Sequence, residues 1–183
     1  YYYTMMFPSL LLLLLGVYFT SGFISFHHQK CFSRENINML KIAHRGYSEK
    51  YGDNNMISFR EALYAGFDMI ELDILLCRSG EIVIYHDTYI EEKYINQLDY
   101  KDLKKYNIIL LEEFLEEFYN KDVLIYFDLK GEHNVVYPLI DLIKRWFSEE
   151  KMKDIYISAF NRRFLDPLVE SNLPVKIGFT TEN

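Results

Sequence analysis

The sequence is poor in the residues that punctuate or staple a chain: its 183 residues include 8 Gly, 4 Pro, 2 Cys and 1 Trp. So few glycines and prolines exclude collagen-like and low-complexity chains, whose composition those residues dominate. The two cysteines, Cys31 and Cys77, cannot build a disulfide framework, and neither stands at zinc-ligand spacing from other Cys or His. Positive charge is also in deficit, with 20 Lys+Arg against 27 Asp+Glu and a formal net charge of −7. That balance excludes a general nucleic-acid binder, which needs a positive surface for phosphates. What is plentiful is apolar: half the residues are hydrophobic and 17% aromatic, ample for the core of one domain.

Charge of either sign is missing before Lys30. Within that stretch the run from Phe7 to Phe26, FPSLLLLLLGVYFTSGFISF, is long enough for one helix to cross the hydrocarbon core of a bilayer. Residues 1–29 are therefore expected to be a hydrophobic helix acting either as a retained single-pass membrane anchor or as a cleaved signal peptide of a secreted protein. The length of the run and the lack of a basic residue before it favour the anchor. Lys30, Arg34, Lys41 and Arg45 follow it, which places the rest of the chain on the cytosolic side. The opening Tyr1-Tyr2-Tyr3-Thr4 carries no initiator, and Met5 or Met6 is the expected start.

From residue 39 to 183 the pattern alternates. Apolar, β-branched runs predict strands at 41–43, 69–76, 82–85, 123–129, 155–159 and 175–179. Amphipathic stretches predict helices at 54–65, 100–106, 111–119, 135–147 and 162–171, the last weakened by Pro167. Near-continuous apolar strands separated by helices indicate an α/β domain with a parallel sheet covered on both faces. No glycine-rich loop follows the first strand, so the dinucleotide-binding pattern is absent.

The predicted strands end in groups that a core would not tolerate. The first runs into His44-Arg45-Gly46, and the third into His86-Asp87. Glu71 and Asp73 on the second strand, and Asp128 and Lys130 on the fourth, stand two residues apart and share a face. The fifth strand ends in Ser158-Ala159-Phe160. Chemistry-bearing residues at successive strand ends describe the mouth of a TM-free TIM (β/α)8 barrel, of which about six βα units are visible here. Three converging carboxylates, Glu71, Asp73 and Asp128, must share protons or bind a cation, and all-oxygen ligands suit one hard ion, Mg²⁺ or Ca²⁺. His44 and His86 beside it form an acid–base pair near pH 7, and Arg45 and Lys130 are cations able to hold a phosphate. Together these groups point to phosphodiester cleavage. Taken singly each has a plainer reading: Arg45 paired with Glu71, Lys130 a solvated rim charge, Asp87 a cap, and His27, His28 and His133 structural.

At this point the chain resembles the glycerophosphodiester phosphodiesterases, a TIM-barrel family. Ala43-His44-Arg45-Gly46 looks like its opening signature, and Ile70-Glu71-Leu72-Asp73 with Gly80, Val83 and His86-Asp87 matches its third at the family's spacing. Leu110 to Leu115, Phe127-Asp128-Leu129-Lys130-Gly131 and Ile157-Ser158-Ala159-Phe160 are similar to later motifs, so the likeness runs from about residue 41 to about 180. It implies that Glu71, Asp73 and Asp128 hold a divalent cation, that His44 and His86 act as general base and general acid, and that Arg45 and Lys130 bind the phosphate. It also implies glycerol 3-phosphate and an alcohol as products, the attacking oxygen being the substrate's own glycerol hydroxyl or water.

Three departures qualify the likeness. Asp128 replaces the family's Glu and is one methylene shorter. The family's Pro-Glu-Asn-Thr is reduced to Gly52-Asp53-Asn54-Asn55, which counts as the loss of a carboxylate near the site. Strands seven and eight are not visible, so the sequence is expected to break at Asn183. A membrane-tethered member suggests lysolipid substrates and lysophospholipase D activity. Sphingomyelinase D-like activity and a non-catalytic membrane-tethered barrel remnant are the alternatives.

Overall fold

The computed structural model describes residues 39–181 and, before them, the backbone of two strands, β1 (Leu15–Phe19) and β2 (Gly22–Phe26). These two five-residue stretches of the apolar run pair with each other antiparallel, and the remainder of the helix expected over 7–26 lies outside the described residues. Among the described residues no helix is long and apolar enough to cross a membrane.

The domain then proceeds through β3 (Ile42–Ala43), α1 (Ser48–Tyr51), α2 (Met56–Tyr64), β4 (Met69–Leu76) and β5 (Ile82–Ile84). Next come a small hairpin of β6 (Tyr89–Ile90) and β7 (Lys93–Tyr94), then α3 (Tyr100–Leu103), β8 (Ile109–Leu110) and α4 (Leu111–Phe118). The last elements are β9 (Leu124–Leu129), α5 (Val136–Trp146), α6 (Glu149–Met152), β10 (Ile155–Ala159), α7 (Leu165–Glu170) and β11 (Lys176–Thr181). Strands β3, β4, β9, β10 and β11 are hydrogen-bonded in that order, every pair parallel, and β2 lies antiparallel on β11. Each new parallel strand is laid beside the previous one with no reversal of direction, the winding of a barrel and not of a doubly wound sheet, which turns back at a switch point.

One expectation is corrected. The third predicted strand is no barrel strand: β5 runs antiparallel to β4 and pairs in turn with β8, so the described residues contain five parallel strands where six βα units were expected. Residues 77–81 are too short for a parallel crossover, which takes about a dozen residues or more. They close instead as a turn in which the Cys77 amide donates to the Glu81 carbonyl at 3.0 Å, with Gly80 at φ +97°.

Alternation along the strands separates two chemistries. Ile70, Leu72 and Ile74 of β4, Ile125 and Phe127 of β9, and Ile155 and Ile157 of β10 pack into one apolar core under the helices. There Phe114 and Phe118 of α4 stack at 4.6 Å and Phe59 of α2 meets Phe114 edge-on at 5.1 Å. Burying one such ring stabilises the fold by roughly 1.5–3 kcal/mol. The opposite faces of the same strands carry Glu71 and Asp73, Tyr126 and Asp128, Ser158 and Thr180, all of them buried. A closed apolar layer outside and a polar layer inside are what place the site.

Candidate active site

The polar layer is assembled by strand register. Asp73 on β4 stands opposite Asp128 on β9, and Asp128 opposite Ser158 on β10. Glu71 lies two residues before Asp73 on the same face, so one carboxylate oxygen from each of Glu71, Asp73 and Asp128 comes within 4.8 Å of the others. Burial and the neighbouring Asp73 and Asp128 charges push the Glu71 carboxyl well above the usual range. Burial likewise raises Asp128, partly offset by Lys130.

The loop after β3 wraps this cluster. Arg45 has φ +59° and Gly46 φ +81°, a left-handed pair that turns the chain sharply over the site. Gly46 is required, since a Cβ there would meet Ser58 Oγ at 2.4 Å. The turn aims the Arg45 backbone amide at Glu71 Oε2, 2.8 Å away, while its guanidinium contacts Asp53 Oδ2 through Nη1 at 2.8 Å and Asp73 Oδ2 through Nε at 3.2 Å. That Nε is buried without a well-directed hydrogen bond. Asn54, at φ +51°, donates its amide to Asp73 Oδ2 at 2.9 Å, and its oxygen faces the Asp73 amide at 3.3 Å. Asn55 then caps α2, accepting from the Ser58 amide at 2.9 Å, which anchors the loop.

Lys130 is no rim charge: it is 15% exposed, and its ammonium lies 2.6 Å from Asp128 Oδ2 and 3.4 Å from Asp73 Oδ1. Burial opposes its charge, but Asp128 and Asp73 outweigh that and hold it above the ordinary lysine range. His44 Nε2 lies 4.0 Å from Glu71 Oε2, and burial together with the Arg45 charge lowers its pKa to about 4, so the ring is neutral near pH 7. His86 follows Tyr85, whose amide donates to the Asp73 carbonyl at 3.0 Å; its own Nδ1 is 2.8 Å from Asp87 Oδ1. Asp87 thus partners the histidine and does not cap a helix.

The donor set fits a hard divalent cation. It is all oxygen and buried, and its three carboxylates face two cations, one of which, Arg45, is shared with Asp53. Toward the mouth, Leu75 continues the face of Glu71 and Asp73, and it lines a groove of about 220 Å³ with Gly131, Glu132, Tyr94 and Asn96.

The model of the glycerophosphoryl diester phosphodiesterase family matches residues 44–183. The chain belongs to that family. It is 30% identical over 162 residues to the glycerophosphodiester phosphodiesterase of Caldanaerobacter subterraneus subsp. tengcongensis, covering 76% of this chain and 65% of the relative. It is 27% identical over 169 residues to the human protein named Lysophospholipase D GDPD1, covering 76% and 52%. Among solved structures, the glycerophosphodiester phosphodiesterase of Thermotoga maritima superposes with a TM-score of 0.65 at 26% identity, covering 79% of this chain and 63% of that one. An Oleispira antarctica phosphodiesterase solved with the product sn-glycerol-3-phosphate gives a TM-score of 0.68 at 21% identity, covering 76% and 65%. The chain thus spans less than two thirds of the length of these relatives.

The structure brings together His44, Arg45, Glu71, Asp73, Asp128 and Lys130, and sets His86 next to them along the backbone. Two things escaped the sequence. The carboxylate counted as lost before Asn54 has a counterpart in Asp53, bonded to Arg45. Tyr126, Ser158 and Thr180 form a buried hydroxyl cluster behind Asp128. The period-two spacing of Tyr126 and Asp128 carried part of that signal; the pairing with β10 and β11 did not show.

Proposed function

We propose that this site hydrolyses glycerophosphodiesters to glycerol 3-phosphate and an alcohol. The observation that carries the reading is the convergence of Glu71, Asp73 and Asp128 at neighbouring parallel strands in a chain of this family. The three carboxylates hold one divalent cation, Mg²⁺ or Ca²⁺, which when bound supplies positive charge against a phosphodiester oxygen. Arg45 and Lys130 flank the carboxylates and offset the charge of the phosphate. His44, neutral near pH 7, accepts the proton of the attacking oxygen at its free nitrogen. His86, with Nδ1 engaged by Asp87, presents Nε2–H to the departing alcohol, and the Asp87 carboxylate favours the protonated ring. The groove past Leu75 leaves room for that alcohol.

The similarity to the human lysophospholipase D supports lysolipids as a second substrate class. The uncharged run 7–26 supports a membrane-bound protein, for which cell fractionation of the intact protein is the check.

The test is glycerol 3-phosphate release from glycerophosphocholine by the intact protein, with lysophosphatidylcholine and sphingomyelin assayed alongside. Release should vanish in EDTA and fall by about 10²–10⁴-fold in His44→Ala and in His86→Ala. Release indifferent to both would overturn the assignment, and turnover of sphingomyelin alone would replace the substrate. No release and no cation binding would identify a barrel that has lost its chemistry.

A further inference from the structure

Behind Asp128 the hydroxyls are arranged in a fixed order. Ser158 Oγ donates to Asp128 Oδ1 at 2.8 Å and accepts from Thr180 Oγ1 at 3.0 Å, and the Tyr126 hydroxyl lies 2.8 Å from the same Ser158 oxygen. All four side chains are buried, contributed by β9, β10 and β11.

A serine hydroxyl has one hydrogen and two lone pairs, and an ionised carboxylate only accepts. Once Ser158 spends its hydrogen on Asp128, Tyr126 must be the donor in the remaining contact. Ser158 then accepts from two hydroxyls, so both its lone pairs are filled. A lone serine could rotate its hydrogen elsewhere; this one has a single direction left, toward Asp128. The carboxylate torsion of an aspartate is otherwise broad. Here it is held at both ends, Oδ1 by Ser158 and Oδ2 by Lys130 at 2.6 Å.

We propose that Ser158, with its hydroxyl direction set by Tyr126 and Thr180, is a positioning residue that orients Asp128 as a ligand for the divalent cation. Tyr126 and Thr180 act only through Ser158. The inference rests on the cation-site reading above. Hydrogen-bonding partners of metal ligands fix ligand orientation in this way, and their removal commonly weakens metal binding by about 10–100-fold.

The experiment is calorimetric titration of the intact protein with Mg²⁺ and, separately, Ca²⁺, for the wild type, Ser158→Ala, Tyr126→Phe and the double variant, each well below its melting temperature. Tyr126→Phe keeps the ring and serves if Ser158→Ala fails to fold. The expected result is a cation affinity about 10–100-fold weaker for Ser158→Ala, a smaller loss for Tyr126→Phe, and a double variant no weaker than Ser158→Ala alone. Non-additivity is the signature of one residue acting through the other; a general loss of packing would lower the melting temperature without it. Variant affinities within twofold of wild type, or additive losses, overturn the inference while leaving the cation site standing. A wild-type protein that binds neither cation overturns the site reading itself.

Discussion

Asp73 and Asp128 stand opposite each other on adjacent parallel strands, and one ammonium, that of Lys130, lies 3.4 Å from the first and 2.6 Å from the second. Two buried carboxylates at one register position are tolerable because that cation is held between them. The relationship makes Lys130 a structural counter-ion of the cation-free chain as well as a candidate phosphate contact.

Replacing Lys130 should therefore destabilise before it does anything else. Removing one member of a buried ion pair typically costs about 3–5 kcal/mol. Lys130→Met should lower stability toward that figure in urea unfolding run in EDTA, and a divalent cation should restore part of it. A variant as stable as wild type in EDTA would show that the ammonium does not hold the carboxylates.

Glu71 should behave in the opposite sense. Its carboxyl is buried and repelled by Asp73 and Asp128, while its contact with the Arg45 amide can be made equally by a glutamine oxygen. Glu71→Gln is expected to stabilise the cation-free protein and to abolish the rise in melting temperature on adding Mg²⁺ or Ca²⁺. In the wild type that rise corresponds to about 2.7 kcal/mol at a cation concentration a hundred times Kd.

His44 should leave a mark on the pH dependence of stability. Its pKa falls from 6.5 to about 4 on folding, through burial first and the Arg45 charge second. Between those values the unfolded chain binds more protons than the folded one, so stability rises with pH across the window and is lost as pH falls. His44→Gln cannot titrate and should lose less stability than wild type between pH 6.5 and pH 4, measured by thermal melts in EDTA. Parallel curves would disprove the burial of the neutral ring.

Gly46 admits no side chain. At φ +81° with a Cβ position 2.4 Å from Ser58 Oγ and 2.9 Å from the Ser58 carbonyl carbon, alanine must displace backbone. Gly46→Ala should cost about 1–3 kcal/mol by strain and overpacking, read from urea unfolding, and should reduce activity through the displaced Arg45 amide.

The candidate site was readable where its residues lie on one short segment. Glu71 and Asp73 share a face because strands alternate with period two, and Asp128 with Lys130 repeats the pattern. Asn55 and Ser58, three apart before an apolar run, form the cap that fixes the loop carrying Arg45 and Asn54. The direction of Ile82–Ile84 was readable only through loop length, since residues 77–81 cannot carry a parallel crossover.

Sequence by itself determined which residues are apolar on one face and charged on the other, and hence the alternating strands, the helices and the chemical types available to the site. Those follow from local periodicity and from the intolerance of a core for unpaired charge. Tertiary structure alone decided which strands are neighbours and in what register: that Asp73 meets Asp128, that Asp53 reaches Arg45 across the left-handed turn, and that Ser158 and Thr180 line up behind Asp128. Register between strands some 30 residues apart depends on how the helices pack over the sheet, and no short stretch of sequence encodes it.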